Sequence, residues 1–128
     1  YIVTLGIQPR GPETGFGYIQ VKERALNTKR ATEVLKFHEK PTLDKARDFI
    51  KDGHYFWNAG IYVSQVSKMI EAIRKHEPEV WSMISELKAD FSNLSEIYNQ
   101  IKNISIDYAV IEKLGQTELR CVPCEIGW

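Results

Sequence analysis

The chain has 128 residues, the length of one domain, and 43% of them are hydrophobic, enough for a packed core. Seventeen Lys and Arg balance seventeen Asp and Glu, and a formal net charge of zero gives no electrostatic reason to expect nucleic acid or an acidic membrane as partner. Apolar runs such as YFW and IYV are far shorter than a bilayer span, and the N-terminus lacks a secretion signal, so the chain reads as cytosolic.

Residues 1–7, YIVTLGI, predict a strand central in a sheet, and its position at the very start suggests that sequence lies upstream. QPRGPETG, 8–15, predicts a loop. Phe16 to Glu23 and Ala31 to Glu39 read as strands around the polar turn ALNTKR. Pro41 stops the second of these, and Thr42 opens a helix with the apolar stripe Leu43, Ala46, Phe49 and Ile50, ending at Gly53.

YFWNAGIYV, 55–63, is the next strand. Val66, Met69, Ile70 and Ile73 repeat at helical spacing until Pro78 forces a restart, and Val80, Trp81, Ile84 and Leu87 mark a second helix. Leu94, Ile97, Tyr98 and Ile101 mark a third, with Asn93 and Glu96 in capping-box spacing. Ser105 begins a fourth, IDYAVIEKL, closed by Gly115, and 118–122 form a last strand. Strands alternating with helices predict an α/β fold in one domain over 1–128, with a mixed or mostly parallel sheet flanked by helices and ligands at the carboxyl ends of its strands.

CVPC, with Cys121 and Cys124, superficially matches a redox or half-zinc spacing, but no second cysteine pair exists and Cys121 falls on the inward side of the last strand. His38, His54 and His76 form no HExxH pair, and two Asn-x-Ser triplets at Asn93 and Asn103 read as chance.

Four places could carry chemistry. In FHEKP, Glu39 and Lys40 come at a strand end before a proline: either a solvated charge pair, or an acceptor for hydroxyls beside a donor for a phosphate. In ETGFGYI, Gly17 either forms a bulge or lends its backbone amide to a ligand. Asn58, an amide in an apolar strand, is either a structural tie or a ligand group, with Ala59 and Gly60 leaving room beside it and Trp57 as core or as the wall of a sugar site. Asp107 sits in a helix's first turn, where it complements the helix dipole, while Glu112 and Lys113 on the next turn face solvent.

Taken in order, TLGI, ETGFGYI, FHEKP, YFWNAGIYV, SIDYAVIEK and the terminal EIGW resemble the bacterial mannose-1-phosphate guanylyltransferases along the whole chain. The resemblance implies a Rossmann-like nucleotide-diphospho-sugar transferase fold and the reaction of GTP with mannose 1-phosphate to give GDP-mannose and pyrophosphate, for polysaccharide biosynthesis. It implies that Glu39 holds sugar hydroxyls, that Lys40, the catalytic candidate, holds the sugar phosphate, that Gly17 and Asn58 contact the sugar, and that Asp107 belongs to the substrate-binding set. Magnesium is implied as cofactor.

The family's N-terminal glycine-rich loop with its arginine, its downstream lysine segment and its first metal-binding aspartate have no counterpart in this sequence, and the family continues past the final Gly-Trp into a second metal-binding segment. The resemblance therefore implies the C-terminal, sugar-phosphate-binding half of the nucleotidyltransferase domain, inactive alone. A related enzyme for another sugar or base, and a non-catalytic sugar-phosphate-binding module, remain alternatives. The sequence leaves open whether copies form a homo-oligomer.

Overall fold

The computed structural model describes residues 1–23 and 30–126. Among the described residues, five strands, β1 (Ile2–Ile7), β2 (Tyr18–Val21), β3 (Thr32–His38), β4 (Tyr55–Ser64) and β5 (Leu119–Cys124), and five helices, α1 (Leu43–Asp52), α2 (Val66–His76), α3 (Pro78–Ser85), α4 (Leu94–Gln100) and α5 (Ile106–Ala109), follow the predicted order. The expected turn ALNTKR and the final Gly-Trp fall largely or wholly outside the described residues.

The sheet is mixed and closes on itself in the order β1-β4-β2-β3-β5. Among the described residues only β1 and β5 run parallel; β1–β4, β2–β4, β2–β3 and β3–β5 are antiparallel, so a mostly parallel sheet is not what forms. The α2 to α5 segment carries the chain from β4 to β5, and β5 completes the circle beside both β1 and β3.

Two apolar cores lie on the two faces of this curled sheet. One joins Ile2, Ile19, Val21, Phe56, Leu119 and Cys121 to Ala72 of α2, Ala109 of α5 and Ile111 of the following 3₁₀ turn. The other packs Ile7, Tyr18, Trp57 and Ala59 against Ala46 of α1. Phe49 of α1 stacks on Tyr55 at 4.1 Å between centroids and meets Tyr18 at 5.4 Å, which locks the helix over β2 and β4. Burying side chains such as Phe56, Ile19 and Leu119 completely stabilises the fold by roughly 1.5–3 kcal/mol each.

Cys121 is fully buried, as its inward strand position predicts, and burial pushes its thiol up to about 12, which leaves negligible thiolate for redox or zinc chemistry. Three local expectations differ. Thr42 occupies the N-cap of α1 without a side-chain bond. Asn93 does not form a capping box: its amide accepts from Lys88 N at 3.0 Å and donates to the Glu86 carbonyl at 3.0 Å, so it closes the preceding loop. The predicted helix from Ser105 stops at Ala109, because Val110 leaves helical geometry (φ −129°, ψ −57°) and a 3₁₀ turn over Ile111–Lys113 follows.

Candidate functional site

The geometry of the site begins with a bulge. β1 and β4 pair Thr4 with Tyr62 and Gly6 with Asn58, so one β1 residue faces three of β4, Ala59, Gly60 and Ile61. Gly60 takes φ +66°, a left-handed conformation that glycine adopts at no steric cost, and its N–H donates to Asn58 Oδ1 at 3.2 Å. The glycine of NAG therefore serves the backbone of the bulge.

Asn58 is engaged at every polar position. Its Oδ1 also accepts from the buried Thr4 hydroxyl at 2.9 Å, and its Nδ2 donates to the Tyr62 hydroxyl at 2.8 Å and to Asp107 Oδ1 at 3.0 Å. Tyr62 in turn donates to Asp107 Oδ1. Side chains from β1, β4 and α5 satisfy the amide in an otherwise apolar strand. Burial, reinforced by the Asp107 carboxylate, pushes the Tyr62 hydroxyl far above its ordinary value, so it stays a donor. Asp107 does more than complement the dipole of a four-residue helix: it is the meeting point of two donors.

Gly17 approaches the same place from β2's entrance. Its carbonyl accepts from Asn58 N at 2.8 Å, and a Cβ added to it would stand 2.6 Å from Glu39 Oε2, 3.0 Å from Phe37 Cζ and 3.4 Å from Asn58 Cβ. Glycine is needed for this close approach. Phe16 packs edge-on against Trp57 at 5.1 Å, and Tyr18 donates to the Glu13 carbonyl at 2.9 Å, which together hold the ETGFG loop. Trp57 points to the opposite face from Asn58, only 5% exposed, so it is core and not the wall of this site.

Glu39 and Lys40 follow β3, at the carboxyl end expected for them. Lys40 has φ +44° immediately before Pro41, where a non-glycine residue is ordinarily extended. Holding it there costs about 1–3 kcal/mol, a strain that recurs at functional sites. The Lys40 ammonium lies 3.4 Å from Glu39 Oε1; the lysine side chain is 58% exposed and the glutamate side chain 10%. Burial holds the Glu39 carboxyl above its usual range, the Lys40 bond opposes this, and the nearby Asp107 and Glu112 carboxylates add to it.

Gly17, Glu39, Lys40, Asn58 and Asp107 thus form a continuous chain of contacts. Thr4 and Tyr62 belong to the same network, and sequence reasoning missed both. Lys113 does not simply face solvent: it pairs with Glu77 at 2.6 Å and donates to the His76 carbonyl at 3.3 Å, tying the 3₁₀ turn to the α2–α3 junction. A cavity of about 310 Å³ lined by Tyr1, Ile2, Lys68, Glu71 and Glu118 lies apart from this network, and its charges are paired, Lys68 with Glu71 at 2.8 Å and Glu118 with Lys75 at 2.9 Å.

Among the described residues, no group of three or more His, Cys, Asp or Glu is placed to hold a metal ion. No helix among them is long and apolar enough to cross a membrane.

The nucleotidyl transferase family pattern matches residues 1–112. The mannose-1-phosphate guanylyltransferase of Sinorhizobium fredii is 38% identical over 94% of this chain and 24% of its own length. The alginate biosynthesis protein AlgA of Pseudomonas fluorescens is 36% identical over 99% of this chain and 27% of its own. A crystal structure described as mannose-1-phosphate geranyltransferase from Thermus thermophilus superposes with a TM-score of 0.86 at 33% identity, covering 99% of this chain and 36% of that one. The chain spans about a quarter of the length of these curated relatives, and the match falls in their N-terminal part, which corrects the expectation of a C-terminal half.

Proposed function

Because this chain belongs to the nucleotidyl transferase family, we propose that it supplies the sugar-phosphate site of an enzyme that makes GDP-mannose and pyrophosphate from GTP and mannose 1-phosphate. Residues 1–128 make up a single partial domain, the sugar-phosphate-binding portion of a nucleotidyltransferase domain. The observation that carries this reading is the chain of contacts from Lys40 through Glu39, Gly17 and Asn58 to Asp107, with Lys40 held in a strained backbone.

Two carboxylates and one ammonium suit a ligand that offers hydroxyls at one end and a phosphate at the other. Lys40, exposed at the strand end, neutralises the phosphate as a compact charge. Glu39 accepts a sugar hydroxyl, and Asp107 a second. Asn58 lends an amide hydrogen to the sugar only by exchanging its bond to Tyr62 or Asp107, a trade the hydroxyl balances by donating to the carboxylate. Gly17 leaves the space and lends its backbone amide near the sugar.

In the reaction a sugar-phosphate oxygen attacks the α-phosphorus of GTP; a new P–O bond forms, the α–β bridging bond breaks and pyrophosphate leaves with the electron pair. This chain's share is positioning and charge neutralisation, with no covalent intermediate. Magnesium is the cation this chemistry takes. The reading carries a cytoplasmic location with it, where nucleoside triphosphates are available, and a role in supplying polysaccharide synthesis, as the name of the alginate relative suggests.

The test is incubation of the complete protein with GTP, magnesium and mannose 1-phosphate, followed by chromatography and pyrophosphate assay. GDP-mannose and pyrophosphate in equal amounts are expected. Product from glucose 1-phosphate alone would assign the site to a different sugar, and binding without product would make the protein a non-catalytic module.

A further inference from the structure

Asp107 has two carboxylate oxygens in different situations. Oδ1 accepts from both Tyr62 Oη and Asn58 Nδ2, whereas Oδ2 takes no hydrogen bond from the described residues and is not sealed in the interior. The amide of Asn58 cannot turn over, because its oxygen is fixed by the Thr4 hydroxyl at 2.9 Å and by Gly60 N at 3.2 Å. The hydroxyl of Thr4 sits on β1, is fully buried and comes from a strand that is otherwise apolar along this face. All three supports are placed by the β4 bulge, which brings Asn58 and Tyr62 onto one carboxylate.

We infer that Thr4 and Tyr62 are positioning residues that hold Asp107, through Asn58 and directly, with Oδ2 presented as an acceptor for a sugar hydroxyl. This rests on the reading of the cluster as a sugar-phosphate site. A carboxylate oxygen held in this way suits a sugar hydroxyl, which donates to it. A sugar lacking that hydroxyl leaves the carboxylate oxygen unpaired in the site, which penalises the wrong ligand as well as rewarding the right one.

Calorimetric titration of the complete protein with mannose 1-phosphate and with its 2-deoxy and 3-deoxy analogues tests this. Tyr62→Phe removes one hydroxyl and is expected to weaken mannose 1-phosphate binding about tenfold, and Asp107→Ala at least as much. The double variant should be no weaker than Asp107→Ala alone, because Tyr62 acts through that carboxylate. Thr4→Val should weaken binding several-fold while Thr4→Ser, which keeps the hydroxyl, behaves as wild type. At least one deoxy analogue should bind wild type poorly and lose its deficit in Asp107→Ala.

Unchanged affinity in Tyr62→Phe, or losses that add fully in the double variant, would overturn the positioning role while leaving the sugar-phosphate site intact. Wild-type protein that binds no sugar phosphate would instead overturn the reading of the site, and this inference with it. Where Thr4→Val lowers the thermal midpoint and affinity together and Thr4→Ser rescues neither, Thr4 is structural and the inference fails for it.

Discussion

Lys40 combines a strained backbone with an exposed ammonium, and two substitutions separate these properties. Lys40→Ala removes the charge and leaves a Cβ residue at φ +44°; Lys40→Gly removes the charge and the strain together. The left-handed position costs a non-glycine residue about 1–3 kcal/mol, and the extra freedom of glycine in the unfolded chain takes back about 0.5–1. The glycine variant should therefore exceed the alanine variant by about 1 kcal/mol, a shift of about 4 °C in thermal midpoint for a chain of this size. Both should lose the charge-assisted bond to the phosphate, worth about 1.5–3 kcal/mol, or roughly 10- to 100-fold in mannose 1-phosphate affinity. Differential scanning fluorimetry and calorimetry on the two variants provide both numbers. A glycine variant no more stable than the alanine variant would refute the strain, and wild-type affinity in either would remove Lys40 from the site.

Gly17→Ala drives a methyl group against the Glu39 carboxylate and Phe37, so mannose 1-phosphate affinity should fall about tenfold while stability, measured by urea unfolding, drops by only about 1–3 kcal/mol. Burial raises the Glu39 carboxyl, so the folded chain keeps a proton there that the unfolded chain has released, and this group's contribution to stability falls as pH climbs from the ordinary carboxylate range through the raised value. Glu39→Gln should flatten that part of a stability–pH profile and stabilise the protein at neutral pH, while sugar-phosphate binding is lost. Lys113→Ala strips the partner from Glu77, whose side chain is 13% exposed, and should lower the thermal midpoint while changing sugar-phosphate affinity far less than Lys40→Ala does. In the folded protein a maleimide should leave Cys121 unmodified, as its burial dictates, and label it once urea unfolds the chain.

Much of the fold was legible because its signals are local. Pro41 and Gly53 bracket α1, the helical spacing of Val66, Met69, Ile70 and Ile73 marks α2, and the alternation at Leu119 and Cys121 marks the inward face of β5. Sheet polarity was not legible, since alternation of strands with helices says nothing of how β4 pairs, and it lies antiparallel to both β1 and β2. Asn93 does stand at the N-cap of α4, but an asparagine amide serves a loop as well as a cap, and here Lys88 N and Glu86 O compete successfully for its side chain.

The site was legible where a side chain is out of place for its element, as with Asn58 in a strand and the charged pair before Pro41. Thr4 and Tyr62 were missed since each looks at home in a strand, and only register brings them to Asn58 and Asp107. A signal existed all the same: Thr4 is the hydroxyl on the Ile2, Thr4, Gly6 side of β1, and Tyr62 lies four residues from Asn58 on the same side of β4.

The central claim, that this cluster is a sugar-phosphate site, is tested most directly by a crystal structure of the complete protein soaked with mannose 1-phosphate. The account predicts the phosphate within hydrogen-bond distance of Lys40 Nζ and sugar hydroxyls donating to Glu39 and to Asp107 Oδ2. Density for the sugar phosphate elsewhere, for example in the cavity beside Tyr1 and Lys68, with Glu39 and Asp107 untouched, would contradict it.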